Sequence, residues 1–205
     1  MEKEKKSKEK KLITNLIRIA LLLLLLFFGF IIYAVIDFRN KTYQKWDTFD
    51  DKRIAEVEKR LDMTIPSGAE PLKFNWSTGA GDVQARLIVG GISDPEDFIE
   101  KAFPGIEVKE LSADENRADV LDALNESTPE NEKSGELLKV PTDNKSFGDI
   151  KSELEESASK LGYSIDLTEV YDRFYPDRIQ GLYYYYIGFG KADDGYYAKI
   201  LYCTL

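Results

Sequence analysis

From Ile19 to Ile36 the chain runs through 18 consecutive uncharged residues, with six leucines in a row from Leu21 to Leu26. As a helix this run covers about 27 Å, close to the roughly 30 Å hydrocarbon thickness of a bilayer. Leu12, Ile13, Leu16 and Ile17 extend the apolar surface, and Arg18 is long enough to return its guanidinium to the headgroups. Phe38, Tyr43 and Trp46 follow at the depth where amphipathic rings favour the interface. The expectation is an uncleaved signal anchor across residues 19–36, behind a basic tail of residues 1–18.

Other readings of an N-terminal apolar run fit less well. A cleaved signal peptide has a shorter apolar region and a small-residue cleavage site, which Ala34-Val35-Ile36 does not supply. A lipoprotein needs a cysteine just after the run, and Cys203, the one cysteine, lies far from it. A type IV pilin needs a glutamate inside the helix near its start, and none lies between Ile19 and Ile36.

Lys3, Lys5, Lys6, Lys8, Lys10, Lys11 and Arg18 precede the span, against Arg39, Lys41, Lys45, Lys52 and Arg53 in the first stretch after it. This bias puts the N-terminus in the cytoplasm and the C-terminal domain outside the membrane. Seven basic and three acidic residues give +4 up to Arg18, and the remaining 21 basic against 34 acidic residues leave −13 beyond it. A domain so acidic, without a basic stripe, is not expected to bind nucleic acid. It would steer toward cationic peptides or basic protein faces.

The chain has no histidine, which removes imidazole bases, histidine metal ligands and Ser-His-Asp triads. Cys203, inside Ile200-Leu201-Tyr202-Cys203, reads as a buried small hydrophobe rather than a reactive thiol. No segment matches a calcium loop, and Gly79-Ala80-Gly81 and Gly188-Phe189-Gly190-Lys191 lack the spacing of nucleotide fingerprints. No cofactor and no metal are expected. Sequons at Asn40, Asn75, Asn125 and Asn144 are expected to be unused, since the lysine-rich, cysteine-poor composition suits a bacterial envelope protein.

Beyond the span, the absence of Pro and Gly from Asp37 to Met63 predicts a juxtamembrane stalk helix over 37–63, ended by Ile65-Pro66-Ser67-Gly68. A domain over 64–205 follows. Pro71–Trp76 and Val83–Val89 read as a hairpin, and Ser93-Asp94-Pro95-Glu96 starts a short helix. Ile106–Leu111 reads as a strand and Asn116–Asn125 as a helix, while residues 126–146 read as a polar surface loop. Phe147, Ile150, Leu154, Ala158 and Leu161 mark an amphipathic helix capped by Ser146 and ended by Gly162. Leu182–Phe189 and Tyr196–Leu205 form a last hairpin. The fold class is therefore α+β, an antiparallel sheet covered by helices on one face.

Alternation along a strand puts two of Tyr183, Tyr184, Tyr185 and Tyr186 on each sheet face. With one face free of helices, Tyr183, Tyr185 and Tyr196 are the candidate binding residues, able to stack a sugar, a peptide or another aromatic patch. The function expected is a single-pass membrane protein, held in the lipid bilayer through residues 19–36, whose acidic outer domain binds an envelope protein or cationic partner without catalysis. Alternatives are a structural subunit of a secretion or conjugation complex, and a carboxylate-dependent envelope hydrolase.

Overall fold

The structure, a computed structural model, describes residues 2–79, 82–116, 119–120, 137–141, 143–144, 147–177, 181–193 and 195–204, with side chains omitted for 2–14, 40, 174–177 and 181–184. It divides into two compact units, Met1–Thr42 and Tyr43–Leu205.

The first unit is one helix, α1 (Glu2–Thr42). Its segment Asn15–Arg39 is apolar and long enough to cross a membrane, and its leucine and phenylalanine side chains stand exposed on all sides. Such a helix suits a lipid environment, where the backbone is satisfied internally and apolar side chains meet acyl chains.

The expected stalk helix over 37–63 is interrupted. Helix α1 ends at Thr42, whose hydroxyl donates to the Phe38 carbonyl, and Tyr43–Trp46 forms strand β1. Trp46 has a better partner than a solvated helix face: it lies opposite Phe74 in the sheet, ring centroids 5.2 Å apart. The domain therefore begins at residue 43, not 64. A separate helix, α2 (Asp51–Leu61), follows, with Asp50 as N-cap accepting from the Arg53 N–H at 2.9 Å, and Asp62 closing it in the left-handed region at φ 46°.

Strands β2 (Glu70–Gly79) and β3 (Asp82–Ile92) form the predicted hairpin. Helix α3 (Pro95–Ala102) starts where expected, with Asp94 as N-cap and Pro95 in the first turn. Strand β4 (Val108–Glu110) occupies the middle of the predicted strand. The predicted helix over 116–125 and the cap at Ser146 lie largely outside the described residues. The predicted loop over 126–146 contains strand β5 (Leu137–Val140), whose Leu137, Leu138 and Val140 are buried. Helix α4 (Phe147–Ser159) follows the predicted periodicity. Strand β6 (Leu167–Asp177) has no counterpart in the sequence reading, and β7 (Gly181–Ala192) and β8 (Gly195–Thr204) are the predicted last hairpin.

The eight strands make one sheet in the order β1-β2-β3-β8-β7-β6-β5-β4. It is mixed rather than antiparallel, because β4 and β5 run parallel, joined by the long connection 111–136 that a parallel crossover requires. The fold is α+β.

Helices cover both faces, not one. On one face α2 and α3 bury Val57, Leu61, Phe98, Ile99 and Ala102 against Phe74, Leu87, Tyr185, Ile187, Phe189 and Ile200. On the other, α4 buries Ile150, Leu154 and Ala158 against Ile88, Leu138, Val170, Tyr186 and Leu201. Ile200, Leu201, Tyr202 and Cys203 of β8 alternate between the two cores, which is why this stretch is buried on both faces. Close approach on the α4 side depends on Gly190 of β7, where a Cβ would fall 2.6 Å from the Asp166 carbonyl oxygen.

Candidate functional site

Burial decides the fate of the tyrosines. Tyr185 is 2% exposed, packs against Phe103 and Tyr202, and donates its hydroxyl to the Leu61 carbonyl at the end of α2. Burial, with the Tyr202 hydroxyl nearby, raises the pKa of its phenol. Tyr185 thus ties β7 to α2 and presents no surface for stacking. Tyr196 is half-buried against the same core, and Tyr183 lies opposite Tyr175 and Thr204 in the sheet, its side chain outside the described residues. The expectation of an outward tyrosine pair presumed one bare face, and α4 covers it: Tyr186 is buried there.

Depth without full burial occurs instead beside α3. A cavity of about 390 Å³ opens between α3, β4, β5 and β6, lined by Glu96, Ile99, Glu100, Ile106, Val108, Glu110, Lys139 and Tyr171. Strand alternation builds it. Val108 and Glu110 share one face of β4, and Tyr171 of β6 lies opposite Lys139 of β5. Helix α3 turns Ile99 inward while Glu96 and Glu100, one turn apart, stand at the rim.

Lys139 is the electrostatic centre of this cavity. Its ammonium lies 2.5 Å from Glu96, 3.8 Å from Glu169 and 3.9 Å from Glu110, and 5.7 Å from the centre of the Tyr171 ring. Tyr171 in turn donates to Glu169 at 3.2 Å. Desolvation pulls the Lys139 pKa down, but the hydrogen bond to Glu96 and the surrounding anionic groups outweigh it and hold the pKa well above that of an ordinary lysine. Burial, then Glu169, raises the phenol of Tyr171 as well. Lys139 therefore stays an ammonium and Tyr171 stays neutral across the physiological range. Neither acts as a base.

Three lining carboxylates against one committed ammonium leave the cavity negative, over a floor of Ile99, Ile106, Val108 and the Tyr171 ring. The combination accommodates a cation carried on an apolar stem, the form of a lysine or arginine side chain. Among the described residues no group of three Asp, Glu or Cys side chains converges in a form that could hold a metal ion.

A second cavity, about 310 Å³, adjoins the first at Ile106, where α2 and α3 end. Glu58, Asp62 and Arg173 line it, and Arg173 is buried with its guanidinium 4.9 Å from the centre of the Phe103 ring. Glu58 accepts from the Ile65 N–H at 2.8 Å. Glu58 and Asp62 are engaged in closing the end of α2.

Of the sequons, Asn144 is 4% exposed, and its amide donates to the Ser112 and Glu115 carbonyls at 3.0 and 2.9 Å. It is a structural clamp for the segment after β4. Sequence reasoning missed Lys139, Glu169 and Tyr171. The first sits in Leu137-Leu138-Lys139-Val140, a four-residue apolar island in a polar stretch, and that island was the available signal. Comparison with protein-family models, with curated proteins and with solved structures gives no match.

Proposed function

We propose that this protein is a single-pass membrane-anchored binding module that captures a cationic ligand in the acidic cavity beside α3, without catalysis. The observation that carries this reading is the cavity itself: Glu96, Glu100 and Glu110 around an apolar floor, with Lys139 already bonded to Glu96. In the same reading residues 19–36 anchor the chain in the cell membrane, the basic N-terminus is cytoplasmic and the acidic domain lies outside. The lysine bias before the span supports that orientation.

The test uses the full chain in phosphatidylcholine nanodiscs, titrated with fluorescent tetralysine and read by anisotropy. Binding is expected to saturate and to weaken as salt rises, since rim carboxylates are screened within a Debye length of about 10 Å at 0.1 M. Glu96→Gln with Glu110→Gln is expected to weaken it by roughly tenfold or more, the effect of losing about 1.4 kcal/mol of charge attraction. Non-saturating binding, or binding indifferent to both substitutions, would overturn the reading. Orientation is checked by an alkaline phosphatase fusion after residue 205, expected to be active only if that end is exported.

A further inference from the structure

A sheet edge borders the acidic cavity, and among the described residues no strand pairs with it. Strand β4 ends the sheet, and its register with β5 pairs Val108 with Leu137 and Glu110 with Lys139. The Leu137 N–H donates to the Glu107 carbonyl and the Leu111 N–H to the Lys139 carbonyl, both at 3.0 Å. In a parallel ladder these bonds mean that Glu107, Lys109 and Leu111 turn their backbone groups toward β5, and that Val108 and Glu110 turn theirs away from it. Two N–H and two C=O groups thus face away from β5, spaced as an added strand requires.

The same two residues point their side chains into the cavity. Outside α1, Val108 and Tyr43 are the large apolar side chains left exposed among the described residues, and each lies on an edge strand. The edges differ in their surroundings. Each strand carries one lysine, Lys45 on β1 and Lys109 on β4, but β4 is flanked on its cavity side by Glu96, Glu100 and Glu110. A second copy of this chain pairing edge to edge at β4 would set two acidic rims against each other, which works against it. A basic strand meets no such repulsion.

We propose that the free edge of β4 takes an extended basic peptide as an added strand, its alternate lysine or arginine side chains reaching over the cavity. This deepens the cationic-ligand reading and rests on it: backbone pairing supplies affinity, and the carboxylates choose the side chains. An added strand lies about 4.8 Å from β4, and its residues at i and i+2 share the cavity face.

The experiment uses the full chain in phosphatidylcholine nanodiscs and the peptide acetyl-Lys-Val-Lys-Val-Lys-Val-Lys-amide. Two further forms carry backbone N-methyl groups, one on every lysine and the other on every valine. Within a strand all residues of one parity turn their N–H groups to the same side. One methylated form is therefore expected to bind roughly tenfold or more weakly, while the other binds like the parent. Val108→Pro removes the outward N–H without touching the bonds to β5, so it is expected to keep the wild-type circular dichroism and melting temperature and to weaken the parent peptide by a similar factor. Equal binding of the two methylated forms, or unaltered binding to folded V108P, would overturn the added strand. Tetralysine binding to the wild-type chain separates the two ideas. If tetralysine binds and the peptide shows no methylation register, the edge proposal fails and the acidic cavity stands; if neither binds, both fail.

Discussion

Lys199 lies on β8 beneath α4, 0% exposed, with no hydrogen-bond partner for its Nζ among the described residues. Desolvation, with Arg86 of β3 adding repulsion and Cys203 partly opposing it, pushes its pKa from 10.5 down to about 6. Tyr186 of β7 is buried on the same face, and Glu156 of α4 lies close enough to feel Arg86. The folded chain thus holds a neutral amine at pH 7, while the unfolded chain holds an ammonium. Folding must release that proton, so stability rises with pH between about 6 and 10.5 and is at its lowest below the folded pKa, where both states are protonated. At about 1.4 kcal/mol per unit the cost is about 5 kcal/mol at pH 7, and it falls by about 3.4 kcal/mol between pH 6.5 and 9. Lys199→Met keeps most of the buried volume and removes the titration. Allowing about 1 kcal/mol for imperfect repacking, it should stabilise the domain by about 4 kcal/mol at pH 7. Urea unfolding of the full chain in nanodiscs, followed by fluorescence, reads the domain alone, because both tryptophans, Trp46 and Trp76, lie within it. The difference between variant and wild type should shrink steadily from pH 6.5 to 9. A difference that stays flat over this range, or a variant less stable at pH 7, would refute the assignment of a neutral, unpartnered Lys199.

Three further outcomes follow from individual contacts. Tyr185→Phe leaves the Leu61 carbonyl without its donor and should cost about 1 kcal/mol in the same unfolding assay, with the ring packing intact. Asn144→Ala removes both bonds to the Ser112 and Glu115 carbonyls, and hydrogen exchange across residues 111–116 should accelerate well before global stability changes. Gly190→Ala drives a methyl against the Asp166 carbonyl and Ile165 and should destabilise by about 1–3 kcal/mol, seen as a lower urea midpoint with unchanged m-value.

Periodicity made α3, α4 and both flanking hairpins legible, because each carries a long repeat or an explicit terminal signal such as Asp94-Pro95 or Gly162. The break at Thr42 was not legible. Tyr43, Gln44, Lys45 and Trp46 fit a helix locally, and only the distant Phe74 and Ser77 make them a strand. Strand β6 was hidden for a different reason: Leu167–Asp177 mixes Glu169, Asp172 and Arg173 with its apolar residues, and both Asp172 and Arg173 are buried in the sheet, contrary to any hydropathy rule. Without β6 and β5 the cavity cannot be assembled on paper, since Lys139, Glu169 and Tyr171 meet only through their register. The acidic character of the domain was legible from counting, and the grouping of Glu96, Glu100 and Glu110 around one cavity was not.

Covering both faces of the sheet has a consequence for where this domain can bind. A sheet with one bare face offers a broad aromatic platform, and the tyrosines of β7 and β8 would have served as one. Here Tyr185 and Tyr202 pack under α2 and α3 while Tyr186 packs under α4, so these three tyrosines are spent on cohesion. What remains accessible is the perimeter. The strands at the centre, β8, β3 and β7, are buried from both sides, and among the described residues the sheet ends at β1 and β4. Of these two edges, β4 adjoins a cavity with an apolar floor, where three carboxylates outnumber the one ammonium of Lys139. The site proposed there relies on main-chain pairing and charge rather than stacking, so its expected ligand is one whose side chains vary while its backbone and its basic spacing do not.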